Sequence, residues 1–201
     1  MRTALSLSTF AVAASLAVAN ANPAQAGTLT YDLGGSNQSS AEFLVAPVGS
    51  DGPTISVTGS EAGVAKNVRR RSNGVGVQGS NNGGQIDGRG GDFETLLLEF
   101  DKTVRIISAN FAAVQNNDEF TLLVDGNEFV TSEDIVNNFF DFSSLSGGVG
   151  KQFGFTVREL NDDYRLAGIT VETVPEPASV LALLALGTVG AISTSKKKKV
   201  S

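Results

Sequence analysis

The sequence predicts an all-β domain, a jelly-roll-like β-sandwich, flanked by an N-terminal signal-peptide helix and a C-terminal transmembrane helix. Three observations lead there. Short runs rich in β-branched and aromatic residues alternate with turn residues from Thr28 to Val174. Glycine is abundant, 23 residues against 5 prolines, as suits a domain with many tight turns. Two apolar stretches without charge lie outside that pattern, one at each end.

The first stretch reads as an export signal. Arg2 supplies the positive start, Ala4 to Ala19 is uncharged and mostly apolar, and Asn20 to Pro23 breaks it. Ala24 and Ala26 then give the small-x-small pattern that signal peptidase accepts, with cleavage expected before Gly27 and a second candidate site at Ala19-Asn20-Ala21. An uncut N-terminal anchor is the alternative.

Strand signals follow. Thr28–Leu33, Glu42–Val45 and Thr54–Thr58 are short β-rich runs bounded by Gly and Pro. Gly59–Gly91 reads mostly as loop, with eight glycines from Gly74 onward, one short strand at Val75–Val77 and the basic run Arg69–Arg71. Glu94–Phe100 and Val104–Val114 read as two strands of a hairpin joined by Asp101-Lys102-Thr103. Asp125-Gly126-Asn127, between Phe120–Val124 and Glu128–Val130, is a hairpin-turn signal because both central positions tolerate positive φ. Ser132–Asn138 reads as one helical turn capped by Ser132. Phe153–Leu160 and Tyr164–Val174 form a last pair around Asn161-Asp162-Asp163. On the final strand Leu166, Gly168, Thr170 and Glu172 are expected on one face, with Arg165, Ala167, Ile169 and Val171 on the other. Eight to ten strands are expected. Phe93, Phe100, Phe111, Phe120, Phe129, Phe139, Phe140, Phe142, Phe153 and Phe155 are expected to dominate the core.

The tail has three parts. Pro175-Glu176-Pro177 forbids continuation of the sheet. Ala178 to Ser193 is uncharged, and as a helix it spans about 24 Å, near the lower limit for a hydrocarbon core of about 30 Å. Lys196, Lys197, Lys198 and Lys199 act as a basic stop on the cytoplasmic side. A buried core helix with a soluble lysine tail is the alternative.

In this order the three parts resemble the PEP-CTERM protein-sorting signal. Pro175, Glu176 and Pro177 match its motif, Val180–Ile192 its helix and the four lysines its basic cluster, where the family usually carries arginine. The run Gln85–Gly88 followed by Glu94–Phe100 is also similar to β-sandwich domains of this family. The resemblance implies export, transient anchoring in the inner membrane, processing by an exosortase, and a place at the cell surface or outside the cell, often among exopolysaccharide. The organisation expected is signal peptide 1–26, ectodomain 27–173, and sorting signal 174–201 with its transmembrane helix at 178–193.

Composition limits the chemistry. Without His or Cys there is no imidazole base or ligand, no thiol nucleophile and no disulfide. Between Gly27 and Val174 stand 10 basic and 20 acidic residues, a balance of −10, which disfavours nucleic acid. Glu94, Glu99 and Asp101 are near one strand but suggest no glycosidase pair. Gly83–Gly91 lacks the ending of a phosphate-binding loop, and no nucleophile elbow occurs. No cofactor and no assigned metal site are expected. Calcium is the best small-ligand idea, through Asp87, Asp92, Asp162 and Asp163, set against a reading of them as solvated turn residues. Arg69–Arg71 could touch an acidic polysaccharide, set against a solvated loop. The expectation is a non-enzymatic structural or interaction protein of the cell surface or extracellular matrix. The alternative is a carbohydrate-binding module, with or without calcium.

Overall fold

The structure is a computed structural model that describes residues 26–49, 52–79 and 83–174. The expected signal-peptide helix and the helix at 178–193 lie outside these residues. Those described are all-β, with fourteen strands and one three-residue 3-10 turn at Arg89–Gly91. The first eight strands are β1 (Thr28–Asp32), β2 (Gln38–Ser40), β3 (Glu42–Val45), β4 (Ile55–Glu61), β5 (Val64–Lys66), β6 (Val68–Arg71), β7 (Gly74–Val77) and β8 (Ile86–Asp87). The rest are β9 (Glu94–Ala112), β10 (Glu119–Val124), β11 (Asn127–Asp134), β12 (Phe139–Asp141), β13 (Val149–Thr156) and β14 (Asp163–Thr173).

Hydrogen bonds connect all fourteen into one sheet, and β9 organises it. Its first half, Glu94–Glu99, lies between β4 and β13. Its second half, Val104–Ala112, pairs with β14, and Ser108–Asn110 pairs with β12 on the other side. The sheet therefore has two limbs. One runs β3-β4-β9-β13-β10-β11, and the other carries β12, β9, β14, β1 and the ribbon β7-β6-β2.

The limbs close over a common core, giving a sandwich-like fold whose layers are parts of one continuous sheet. The ring of Phe100 on β9 meets Tyr31 of β1 and Phe153 of β13 edge-on, each at 5.6 Å between centroids. Gly59 of β4 lies against Val77 and Val68 of the opposite limb, so that an added Cβ would be 3.1 and 3.3 Å from their methyls. Phe100, Phe111, Phe120, Phe142, Phe153 and Phe155 are buried as expected, and Phe93, Phe129 and Phe140 pack partly buried against them. Phe139 is 44 % exposed, because β12 is a short edge strand. Tyr31 and Tyr164 are fully buried, each with its hydroxyl donated to a backbone carbonyl, of Pro53 and Thr156.

Several expectations need correction. The turn at Asp101-Lys102-Thr103 does not exist, since β9 runs unbroken for 19 residues. None of the three has positive φ, and Leu96, Leu98, Phe100, Val104 and Ile106 keep one inward phase across them. Gly59–Gly91, expected to be mostly loop around a strand at Val75–Val77, holds that strand as β7 and also the end of β4 and strands β5, β6 and β8. Its glycines permit close backbone approach. A Cβ on Gly76 would stand 2.6 Å from the Gly84 carbonyl oxygen, so residues 84 and 85 lie directly on β7. Ser132–Asn138 contains no helical turn, because β11 continues to Asp134 with Ser132 at φ 47°. The alternation along β14 fails at Ala167, an extra residue against β9 between the pairs Leu166–Phe111 and Gly168–Asn110. That bulge lets Tyr164, Leu166, Ile169 and Val171 all be buried. The hairpin at Asp125-Gly126 is as read, with φ 49° and 81°.

Candidate sorting junction and surface sites

The domain holds its two chain ends side by side. β1 pairs antiparallel with β14 from Thr28–Glu172 to Asp32–Gly168. Just beyond this ladder the Gly27 amide donates to Thr173 Oγ1, and the Thr173 amide donates to the Gly27 carbonyl, both at 2.9 Å. The Val174 amide donates to the Thr103 carbonyl at 3.3 Å, fixing the last described residue to β9 as well. Ala26, half of the expected signal-peptidase pattern, is exposed at this pole. Ala24, Pro175, Glu176, Pro177 and the lysines Lys196–Lys199 lie outside the described residues. Among the described residues no helix is long and apolar enough to cross a membrane.

A second feature is a buried acidic corner where β8, the 115–119 segment and the start of β14 meet. Asp87, Asp118, Asp162 and Asp163 are each at most 3 % exposed. Asp163 accepts from Gln85 and Gln115 and forms an ion pair with Arg89 at 2.7 Å. Asp118 accepts the amides of Gln115 and Asp163. Asp87 accepts the Arg89 amide. Asp162 accepts the Glu119 amide through Oδ1, while its Oδ2 is buried with no hydrogen-bond partner. Burial raises the Asp162 carboxyl to about 6; the Glu119 amide lowers it in part, and the charges of Glu119, Glu159 and Asp118 raise it further. Asp118 is raised for the same main reason, burial.

Three of the four aspartates considered for calcium thus converge, but Asp92 does not, being exposed on the surface turn. Arg89 and two glutamine amides occupy the places around Asp163 that a cation would take. Among the described residues no group of three or more carboxylates is arranged to hold a metal ion. Glu94 is buried and accepts the Asp87 amide, whereas Glu99 and Asp101 are exposed, so these three acids are not gathered into one site.

The third feature is basic. The run Arg69–Arg71 is part of β6, not a loop. Arg70 is structural, its guanidinium donating to the carbonyls of Leu33 and Gly34 at 2.6–3.1 Å. Arg71 lies in the pairing opposite Gly74, and Val75 beside it pairs with Leu166, which brings Arg71 toward Arg165 of β14. The two line an open cleft of about 520 Å³ together with Gly35, Ser36, Asn37, Ser72 and Asn73. Sequence reasoning found Arg71 but not Arg165, because nothing local to Arg165 signals that β7 lies beside it.

The class these features define is an all-β domain whose final strand leads directly into a C-terminal segment. The PEP-CTERM protein-sorting motif matches residues 173–198, beginning on the last residue of β14. The chain therefore carries a signal that implies export, passage by way of the membrane and processing by an exosortase. No curated protein and no solved structure matches the chain.

Proposed function

We propose that this chain is a non-catalytic structural or interaction protein of the cell surface or extracellular matrix, delivered and trimmed through its C-terminal signal. The observation that carries the reading is the position of the sorting motif, which starts where the sheet ends. Only Val174 separates the last strand residue from Pro175. The folded domain would stand at the membrane surface until the tail is cut. Signal peptidase, cutting before Gly27, would release the other end at the same pole, beside Thr173. A non-catalytic role is supported by the absence of His and Cys and by the internal hydrogen bonds and ion pair that engage Asp87, Asp118 and Asp163.

Mass spectrometry of the protein recovered from its host tests this reading. Expected is a mature chain that starts at Gly27 and ends near Pro175–Pro177. A chain still ending at Ser201 would overturn the processing step.

A second reading, a carbohydrate-binding module acting on extracellular polysaccharide, is favoured by the arginine cleft. Its calcium-assisted form has less support, since Arg89 already neutralises Asp163.

A further inference from the structure

The cleft between β1, the β6–β7 turn and β14 holds more positive charge than the structure uses. A guanidinium has five N–H donors. Arg71 donates one to the Gly83 carbonyl at 2.7 Å, and its Nε is buried without a partner among the described residues. Arg165 donates through Nε to the Gly84 carbonyl at 3.0 Å. Neither forms an ion pair among the described residues. These two bonds orient the side chains and, the enclosed Nε of Arg71 aside, leave the remaining guanidinium N–H groups without a partner among the described residues. Arg165 is held below the ordinary arginine value, first by burial and then by the charges of Arg71 and Arg69, with the Asp163 carboxylate offsetting part of that shift. The cations repel one another, and a bound anion would relieve that repulsion.

The rest of the lining narrows the ligand. Ser36, Asn37, Ser72 and Asn73 are exposed neutral groups that donate and accept, and neither a carboxylate nor an aromatic ring is among the lining residues. A guanidinium pair matches a carboxylate in shape and charge. The hydroxyl and amide groups match sugar hydroxyls. A domain with a balance of −10 repels a general polyanion, so an acidic chain would be drawn to this basic cleft rather than to the acidic surface as a whole.

We infer that the cleft lined by Arg71 and Arg165 is a binding site for the carboxylate of a uronic-acid residue in an acidic polysaccharide. This inference deepens the carbohydrate-binding reading and does not depend on the sorting reading. The site also sits well for that role. Arg165 and Thr173 stand near opposite ends of β14, about 25 Å apart at the rise of an extended strand. The cleft is therefore remote from the pole where the tail leaves.

The test uses the full chain in neutral detergent, titrated with polygalacturonate, its methyl ester and uncharged dextran. Expected is binding of polygalacturonate that weakens with salt, and at least about tenfold weaker binding of the ester and of dextran. The double variant R71Q/R165Q should lose about tenfold or more, while R158Q, at an exposed arginine that does not line the cleft, should not. Should the double variant fail to fold, Asn73→Asp at the lip of the cleft places a carboxylate there without removing an internal hydrogen bond, and it should weaken binding severalfold. Equal binding of acid and ester, or affinity within twofold in the cleft variants, would overturn the site while leaving a carbohydrate-binding domain. Absence of binding to all three polymers overturns the inference for uronic acids and counts against the carbohydrate reading as well.

Discussion

Replacing Asp162 by asparagine should flatten the fall in the domain's stability between pH 4 and pH 7.5. Asp162 is 1 % exposed, and its Oδ2 has no hydrogen-bond partner. Its carboxyl is raised from 3.8 to about 6, chiefly by burial. The folded protein therefore binds this proton more tightly than the unfolded chain does. Between these two values the folded state holds more protons, so stability falls as pH rises through the window and stays low above it. Two units at about 1.4 kcal/mol each give roughly 3 kcal/mol as an upper figure. Asp118 lies close enough to couple, so the two acids share part of that slope and about 1–3 kcal/mol belongs to Asp162.

Asparagine retains an oxygen for the Glu119 amide and carries no charge to bury. Its amide nitrogen inherits the unpartnered position, which costs about 1 kcal/mol or more at every pH. The comparison is thus one of slopes, not of absolute stability. Urea denaturation of both proteins at pH 4, 5, 6 and 7.5 should show D162N gaining on the native chain by at least about 1 kcal/mol across the series. Parallel pH profiles would refute the reasoning and show that Asp162 titrates as an exposed acid does.

Three further outcomes follow from packing. Phe120 is fully buried among Phe111, Phe140, Phe142 and Phe155, so F120A should cost about 3–5 kcal/mol and lower the thermal midpoint by roughly 10 °C in calorimetry. Gly126 has φ 81° at the β10–β11 turn with open space around it, so G126A should cost about 1 kcal/mol in denaturant midpoint, from backbone strain alone. Glu128 pairs with Arg158 where both are more than 40 % exposed, so E128A should shift stability by no more than about 0.5 kcal/mol.

The all-β class was legible because turn residues and apolar alternation recur along the chain, and Asp125-Gly126 announced its hairpin through the one backbone conformation such a pair tolerates. The false hairpin at Asp101–Thr103 was avoidable. Leu96, Leu98, Phe100, Val104 and Ile106 are all even-numbered, and a period of two that survives three polar residues marks one strand passing between limbs. Of strands β5 to β8, β7 was legible through Val75 and Val77, and β5, β6 and β8 were not. Each of those three is short and buries one apolar residue or none, Val68 in β6 and Ile86 in β8, so none shows an alternation. The bulge at Ala167 is set by pairing with β9, and no residue of β14 announces it. Of the candidate sites, the tail was legible since its parts are contiguous. The cleft was not, since Arg71 and Arg165 meet only through the single pairing of Val75 with Leu166.

That pairing also gives the domain a direction. β14 lies beside β9 along its length, carries Arg165 near its start and enters the sorting motif at its end. β1, its neighbour on the other side, begins at the Gly27–Thr173 junction and leads through Leu33 and Gly34 to the cleft residues Gly35, Ser36 and Asn37. Both strands thus run from the pole where the tail leaves to the basic cleft in one hydrogen-bonded register. A ligand drawn to Arg71 and Arg165 would meet the domain near the end of β14 opposite the one that enters the sorting motif, before or after the tail is cut. Binding and release from the membrane would then be independent events. Loss of the cleft arginines should leave the mature termini unchanged, and a change in processing among those variants would contradict this separation.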